Sequence, residues 1–164
     1  METLTPVEAR KVLTDAQASV VLELPPCDVE EKGITQDGVE VRLNIVRPAG
    51  SKVVLPGFIF VHGGGWILGD FPTHERFVRD LVADSGFTAI FANYTPSPEA
   101  RYPAAINQIH AAAKWVGSHG DEIKVNGKRL AIVGNSVGGN MTAAVALMAK
   151  DKGGPEFKCQ VMLW

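Results

Sequence analysis

Little in this chain points to metal, nucleic acid or membrane. Only two cysteines occur, Cys27 and Cys159, far apart and without metal-ligand spacing. They argue against a disulfide framework and a zinc site; two reduced thiols in a cytoplasmic protein are expected. Nothing in the sequence asks for a metal or a cofactor. Neither sign of charge dominates: 16 Lys and Arg stand against 18 Asp and Glu, for a net charge of −2. No basic block stands out, so neither nucleic acid nor an anionic membrane is an expected partner. No apolar stretch reaches membrane-spanning length; the run from Val53 to His62 is strand-sized and holds Pro56 and Gly57. The start, Met1-Glu2-Thr3-Leu4, lacks a basic region followed by an apolar one, so no signal peptide is expected. Internal repeats and low-complexity tracts are absent.

What is present fits one globular domain. Hydrophobic residues make up 46% and charged residues 21% of 164 positions, enough for a core. Thr5-Pro6-Val7-Glu8 reads as a capping box with proline at the first helical position. A helix is expected from there to about Leu24, with Val7, Val12, Leu13 and Val20 near one face and Pro25-Pro26 as its stop. It reads as a flap over an active site, as an amphipathic helix docked on the core, or as both.

Val29–Thr35 and Val39–Val46 alternate around Asp37-Gly38, which predicts an antiparallel hairpin. Beyond it, Val53–Val61 predicts a strand buried on both faces, Pro72–Ser85 a helix, and Phe87–Ala92 a strand. Pro103–His119 predicts a helix, Arg129–Val133 a strand, Val137–Lys150 a helix, and Phe157–Trp164 a final strand. Such alternation implies a parallel sheet with right-handed crossovers. The chain stops on Val161-Met162-Leu163-Trp164, apolar and mid-pattern. An N-terminal fragment, or one piece of a cleaved protein, is therefore expected.

The stretch that carries chemistry is Gly134-Asn135-Ser136-Val137-Gly138-Gly139-Asn140, between an apolar strand and a helix. Gly-x-Ser-x-Gly in that setting is a nucleophile elbow. The chain must reverse sharply at Ser136, so its hydroxyl projects from a strained turn. Strand and helix pass so close that side chains at 134 or 138 would clash. The Val137 N–H opens the following helix, where amide protons lack partners and the dipole is positive. An exposed serine in an ordinary glycine-rich turn is the alternative.

His62-Gly63-Gly64-Gly65-Trp66 follows an apolar strand directly. Three glycines let the backbone aim successive N–H groups into a cleft. Acyl transfer needs such fixed donors, because the carbonyl oxygen becomes an oxyanion. With Val137, the hole would have three donors: Gly64, Gly65 and Val137. Two glycine motifs in this order make an ordinary glycine loop the weaker reading.

These stretches resemble the hormone-sensitive-lipase-like carboxylesterase branch of the α/β-hydrolases. His62–Trp66 is similar to that branch's oxyanion loop. Gly134–Asn140 is similar to its elbow, usually Gly-Asp-Ser-Ala-Gly-Gly-Asn. Asn93-Tyr94-Thr95-Pro96-Ser97-Pro98-Glu99 and the following Tyr102-Pro103-Ala104-Ala105 are similar to its Asp-Tyr-Arg-Leu-Ala-Pro-Glu segment with a trailing aromatic-Pro-Ala-Ala. The resemblance implies an α/β-hydrolase fold: a mostly parallel sheet with helices on both faces, an N-terminal hairpin and an N-terminal cap helix, the C-terminal part missing. Residues 1–26 would be the cap segment and 27–164 the N-terminal part of the hydrolase domain.

Asn93, Thr95 and Asn135 stand where the family usually has Asp, Arg and Asp. The first two lose charges that would support the loop; Asn135 still hydrogen-bonds. Val137 replaces a common alanine, leaving its N–H unaffected while its branch narrows the site. His62, Gly63, Gly134, Gly138 and Gly139 support the motifs. All four histidines, His62, His74, His110 and His119, precede Ser136, whereas this fold orders its triad as Ser, acid, His. The resemblance implies a structural His62; the others fall on or near helices, as surface or packing residues. Trp66, Tyr94 and Tyr102 either line a pocket or pack. The triad acid and histidine are expected beyond Trp164, leaving this fragment inactive or nearly so alone.

Two functions follow as expectations. One is a serine esterase for small, short-acyl or aryl esters. The other is a small-molecule binder on the same scaffold, as in the plant gibberellin receptors that resemble this branch. The missing half, a second chain or a homo-oligomer would cover the exposed edge of Phe157–Trp164.

Overall fold

The computed structural model describes residues 3–163. Helix α1 (Pro6–Ala18) begins at the expected capping box: the Thr5 hydroxyl accepts from the Glu8 N–H while the Glu8 carboxylate accepts from the Thr5 N–H. It ends six residues earlier than the Pro25-Pro26 stop suggested. Ser19 closes it by donating its N–H to Asp15 O, and the β-branched Val20 and Val21 that follow are poor helix formers. Its expected apolar face is not buried. Val7 is 69% exposed, and Val12 and Val20 are exposed as well.

Strands β1 (Cys27–Gln36) and β2 (Val39–Pro48) form the expected hairpin. Asp37 and Gly38 both take positive φ, 53° and 76°, as a two-residue turn of this hand requires. Then follow β3 (Leu55–Val61), α2 (Phe71–Ser85), β4 (Thr88–Asn93), α3 (Ala104–His119), β5 (Val125–Asn135), α4 (Val137–Lys152) and β6 (Phe157–Leu163). Val53 and Val54 lie outside β3 and are exposed; the first bond on that side is Leu55 N–H to Lys124 O, at 3.1 Å. Strand β5 starts earlier than expected, because Val125 pairs with Leu55 and is buried. The reach of the last strand to Trp164 lies outside the described residues. Among the described residues no helix is long and apolar enough to cross a membrane.

The sheet order is β1-β2-β4-β3-β5-β6, parallel from β4 to β6 and antiparallel at the hairpin. From β3 the chain steps toward the hairpin to make β4, then passes back over β3 to make β5. Right-handed crossovers in opposite directions place α2 on one face and α3 and α4 on the other. Side chains of β3 alternate accordingly. Phe58 and Phe60 pack with Val78 and Val82 of α2; Ile59 and Val61 pack on the side of Ile109, Val116 and Met141. Full burial of each such side chain contributes about 1.5–3 kcal/mol.

This topology positions the site. Strands β3 and β5 are neighbours, yet their chains leave toward opposite edges of the sheet. Open α/β sheets form their crevice at such a point, beyond the carboxyl ends of the strands. Val61 is in register with Gly134. Residues 62–66 and 135–137 must therefore emerge side by side.

Candidate active site

Ser136 sits between β5 and α4 with φ 53° and ψ −125°, on the side of φ space that a residue with a Cβ avoids. Three contacts hold it there. Its N–H donates to Leu163 O at the end of β6 (2.7 Å), and its carbonyl accepts from the N–H groups of Gly139 (2.9 Å) and Asn140 (3.3 Å). The hydroxyl makes no helix-capping bond, and the residue is exposed.

The flanking glycines are required by proximity. A Cβ on Gly134 would lie 2.3 Å from Gly138 O, and one on Gly138 would lie 2.1 Å from Val61 O. On Gly139 it would sit 3.0 Å from Leu163 O. Helix α4 thus starts in contact with the ends of β3, β5 and β6.

The 62–66 loop touches the elbow directly. A Cβ on Gly63 would lie 3.1 Å from Ser136 Cβ and 2.7 Å from Asn135 O. The Gly63 N–H donates to Asn135 Oδ1 at 3.0 Å, the hydrogen bond that Asn135 was expected to keep. Gly64 and Gly65 take φ 117° and 63°, and Trp66 continues at 62°. The turn closes on itself where Ile67 and Leu68 N–H donate to Gly64 O, at 3.1 and 2.8 Å. Among the described residues, the N–H groups of Gly64, Gly65 and Val137 donate to no other group. The Val137 side chain is half-buried, packed against the core on the α3–α4 side.

His62 is buried and supports this loop. Its ring stacks on Tyr94, 4.2 Å between centroids, and on Phe91, at 5.3 Å. Nδ1 lies 2.7 Å from Gly63 O, so it carries the proton and donates. The Tyr94 hydroxyl donates to His62 O at 3.1 Å. Burial pushes the His62 ring down to about 4, against a partial opposing pull from the Gly63 carbonyl. The sign of the pH effect follows. Between an ordinary 6.5 and about 4 the unfolded chain binds a proton that the folded one refuses. Stability is therefore full above pH 6.5 and declines as pH falls toward 4. In NMR titration the His62 ring signals are expected to hold still from pH 8 to 5, while unfolding midpoints in urea drop over the acid half of that range.

The other histidines are engaged elsewhere. His74 Nδ1 lies 3.1 Å from Asp70 O, His110 Nε2 lies 2.9 Å from Gly153 O, and His119 stacks on Trp115. Tyr94 packs in the interior. Trp66 and Tyr102 are exposed and, with Gly65, Ile106, Met141 and Ala144, line a cleft of about 490 Å³ beside the loop. A larger cavity of about 800 Å³, under α1 and against the hairpin, is lined by neither Ser136 nor the 62–66 loop. Among the described residues no cluster of three or more His, Cys, Asp or Glu side chains is placed to hold a metal ion.

Sequence reasoning missed how the 93–99 segment is supported without the family's charges. Asn93 Nδ2 donates to Asn44 Oδ1 (2.7 Å) and Arg42 O (3.1 Å). An ionised carboxylate at 93 could donate to neither. Gln108 supports Thr95, two residues on, accepting from Thr95 N–H and donating to Thr95 Oγ1 and Glu40 O. Asn93→Asp is expected to cost about 1–3 kcal/mol, because two acceptors then face a carboxylate. Urea denaturation at pH 8 and pH 4 checks this, with the larger loss at pH 8, where the new carboxyl is ionised.

The comparisons with known proteins agree with this architecture. Residues 58–164 match the alpha/beta hydrolase fold family. Carboxylesterase NlhH of Mycobacterium tuberculosis is 34% identical over 142 residues, covering 86% of this chain and 44% of that protein. The crystal structure of a thermostable esterase from Pseudomonas putida ECU1011 is 57% identical, with a TM-score of 0.94, over 97% of this chain and 50% of its own. A fungal esterase from Rhizomucor miehei superposes with a TM-score of 0.93 at 34% identity, over 98% of this chain and 52% of its own. The chain thus spans about half the length of the relatives it matches. On fold, motifs and relatives together, the chain belongs to the hormone-sensitive-lipase-like carboxylesterase family of α/β-hydrolases.

Proposed function

We propose that the complete protein is a serine carboxylesterase working through an acyl-enzyme. The observation that carries this reading is the meeting of the two glycine-lined bends. Gly63 lies against Ser136, and among the described residues the N–H groups of Gly64, Gly65 and Val137 have no partner of their own. Ser136 Oγ attacks the ester carbonyl, its proton passing to a histidine. The carbonyl oxygen gains negative charge and is held by the three N–H groups, which are in place before the reaction starts. The C–O bond to the alcohol breaks, and the histidine returns the proton to the leaving oxygen. Water then repeats the sequence on the acyl-serine.

None of the four histidines here is free for that role, so the histidine and its orienting acid come from the C-terminal half that the relatives possess. This chain alone is accordingly inactive or nearly so. The cleft beside Trp66 and Tyr102 suits short-acyl or aryl esters. The esterase names of the relatives support the reaction class. Residues 1–26 act as a cap segment on the hydrolase domain begun at 27. The outer edge of β6, unpaired among the described residues, is where the C-terminal half or a second copy would join. Free Cys27 and Cys159 fit a cytoplasmic protein.

Treating the complete protein with a fluorophosphonate and mapping the adduct by mass spectrometry tests the reading. Labelling of Ser136 is expected. No labelling there would favour a small-molecule binder on this scaffold.

A further inference from the structure

Helix α1 buries none of its described side chains, yet one of them, near the surface, ties it to the body. The Arg10 guanidinium makes four hydrogen bonds to two separate segments. Nε donates to Ile67 O at 2.7 Å. Nη1 and Nη2 grip the Glu99 carboxylate in a fork, each at 2.7 Å, and Nη2 also donates to Ser97 O at 2.8 Å. Ile67 stands two residues past Gly65, in the turn whose Gly64 and Gly65 N–H groups donate to no other group among the described residues. Ser97 is tied to the same turn, since its N–H donates to Trp66 O at 2.8 Å.

The turn needs such a tie. Gly64, Gly65 and Trp66 all hold positive φ, and two of the three are glycines with wide conformational freedom. Bonds inside the turn fix its shape but not its orientation toward the elbow. On its inner side Gly63 is anchored to Asn135; on its outer side the ties are Ser97 and Arg10.

We propose that Arg10 is a positioning residue for the oxyanion donors: it clamps the Ile67 carbonyl to the 97–99 segment and so holds the Gly64 and Gly65 N–H groups in aim. This rests on the esterase reading given above. A planar fork with five donors can meet a carboxylate and two carbonyls at once; an ammonium is a point charge and cannot span them. Hydrogen bonding from Arg10 holds the Glu99 carboxyl down to about 2, so the fork stays ionic throughout the working range of pH. The cap helix thereby takes part in transition-state stabilisation while touching neither substrate nor Ser136.

The test uses the complete protein with Arg10→Met, Arg10→Lys and Ser136→Ala variants, assayed on p-nitrophenyl butyrate. For Arg10→Met, kcat is expected to fall about tenfold or more with KM within about twofold, because the lost contact acts on the oxyanion rather than on ester binding. Arg10→Lys is expected to recover less than half of that loss. Amide exchange at Ile67 and Leu68 should quicken in both, while that of the β3 and β5 core stays at the parental rate. Parental kcat in Arg10→Met, full recovery by Arg10→Lys, or a loss carried by KM alone would overturn the proposal. Activity surviving in Ser136→Ala would remove the esterase reading instead, and unaltered exchange at 67 and 68 would then decide against the clamp on its own.

Discussion

Ser136→Ala in the complete protein is expected to lower kcat on p-nitrophenyl butyrate by about a thousandfold or more and leave the melting temperature nearly unchanged. The hydroxyl makes no capping bond, so its removal deletes the nucleophile without opening the turn. Alanine at φ 53° carries the same Cβ strain as serine, and no structural hydrogen bond is lost. What remains is the binding site and three amide donors, which give only residual catalysis over water. Steady-state kinetics and a thermal melt on the same preparation separate the outcomes. A parallel fall in both would mean that Ser136 holds the turn rather than performs chemistry.

Gly138→Ala carries the second large effect, and it falls on stability. The new methyl would sit 2.1 Å from Val61 O and 2.8 Å from His62 O. Neither carbonyl can yield, for Val61 lies in a central strand and is fully buried. Helix α4 must therefore lift away from β3, opening the contact that brings Gly63 against Ser136. A cost of about 3–5 kcal/mol is expected, the upper range for a single substitution. At roughly 2–4 °C per kcal/mol this lowers the melting temperature by about 10 °C. Gly33→Ala is the control. It meets nothing within 4 Å and has an ordinary φ, so its effect should stay within about 0.5 kcal/mol. Equal melting temperatures for the two variants would contradict the close approach of helix and strand.

The elements that sequence alone reveals are those set by local sterics. Asp37-Gly38 imposes the hairpin because only such residues tolerate its turn, and Gly134 and Gly138 mark the elbow because no side chain fits. The unbroken apolar run of β3 is legible because helices cover both faces of the sheet. What eludes the sequence depends on partners distant along the chain. The valines of α1 look like a core face, yet the helix is held by a cation, Arg10, reaching Ile67 and Glu99. Asn93 and Thr95 look like lost support, yet Asn44 and Gln108 replace it with uncharged bonds. The start of β5 at Val125 follows from its pairing with Leu55 rather than from any local pattern. Ser136 and the two glycine motifs are legible in the sequence; the bonds that tie Arg10 to the neighbouring turn are not.

The central claim is that the ends of β3 and β5 bring one hydroxyl and three unpaired amide protons around a single point. A crystal structure of the complete protein phosphonylated at Ser136 tests it most directly. The phosphonyl oxygen is predicted to lie about 2.7–3.1 Å from the backbone nitrogens of Gly64, Gly65 and Val137. An adduct on Ser136 whose oxygen points away from those nitrogens, or an adduct on another residue, would contradict it.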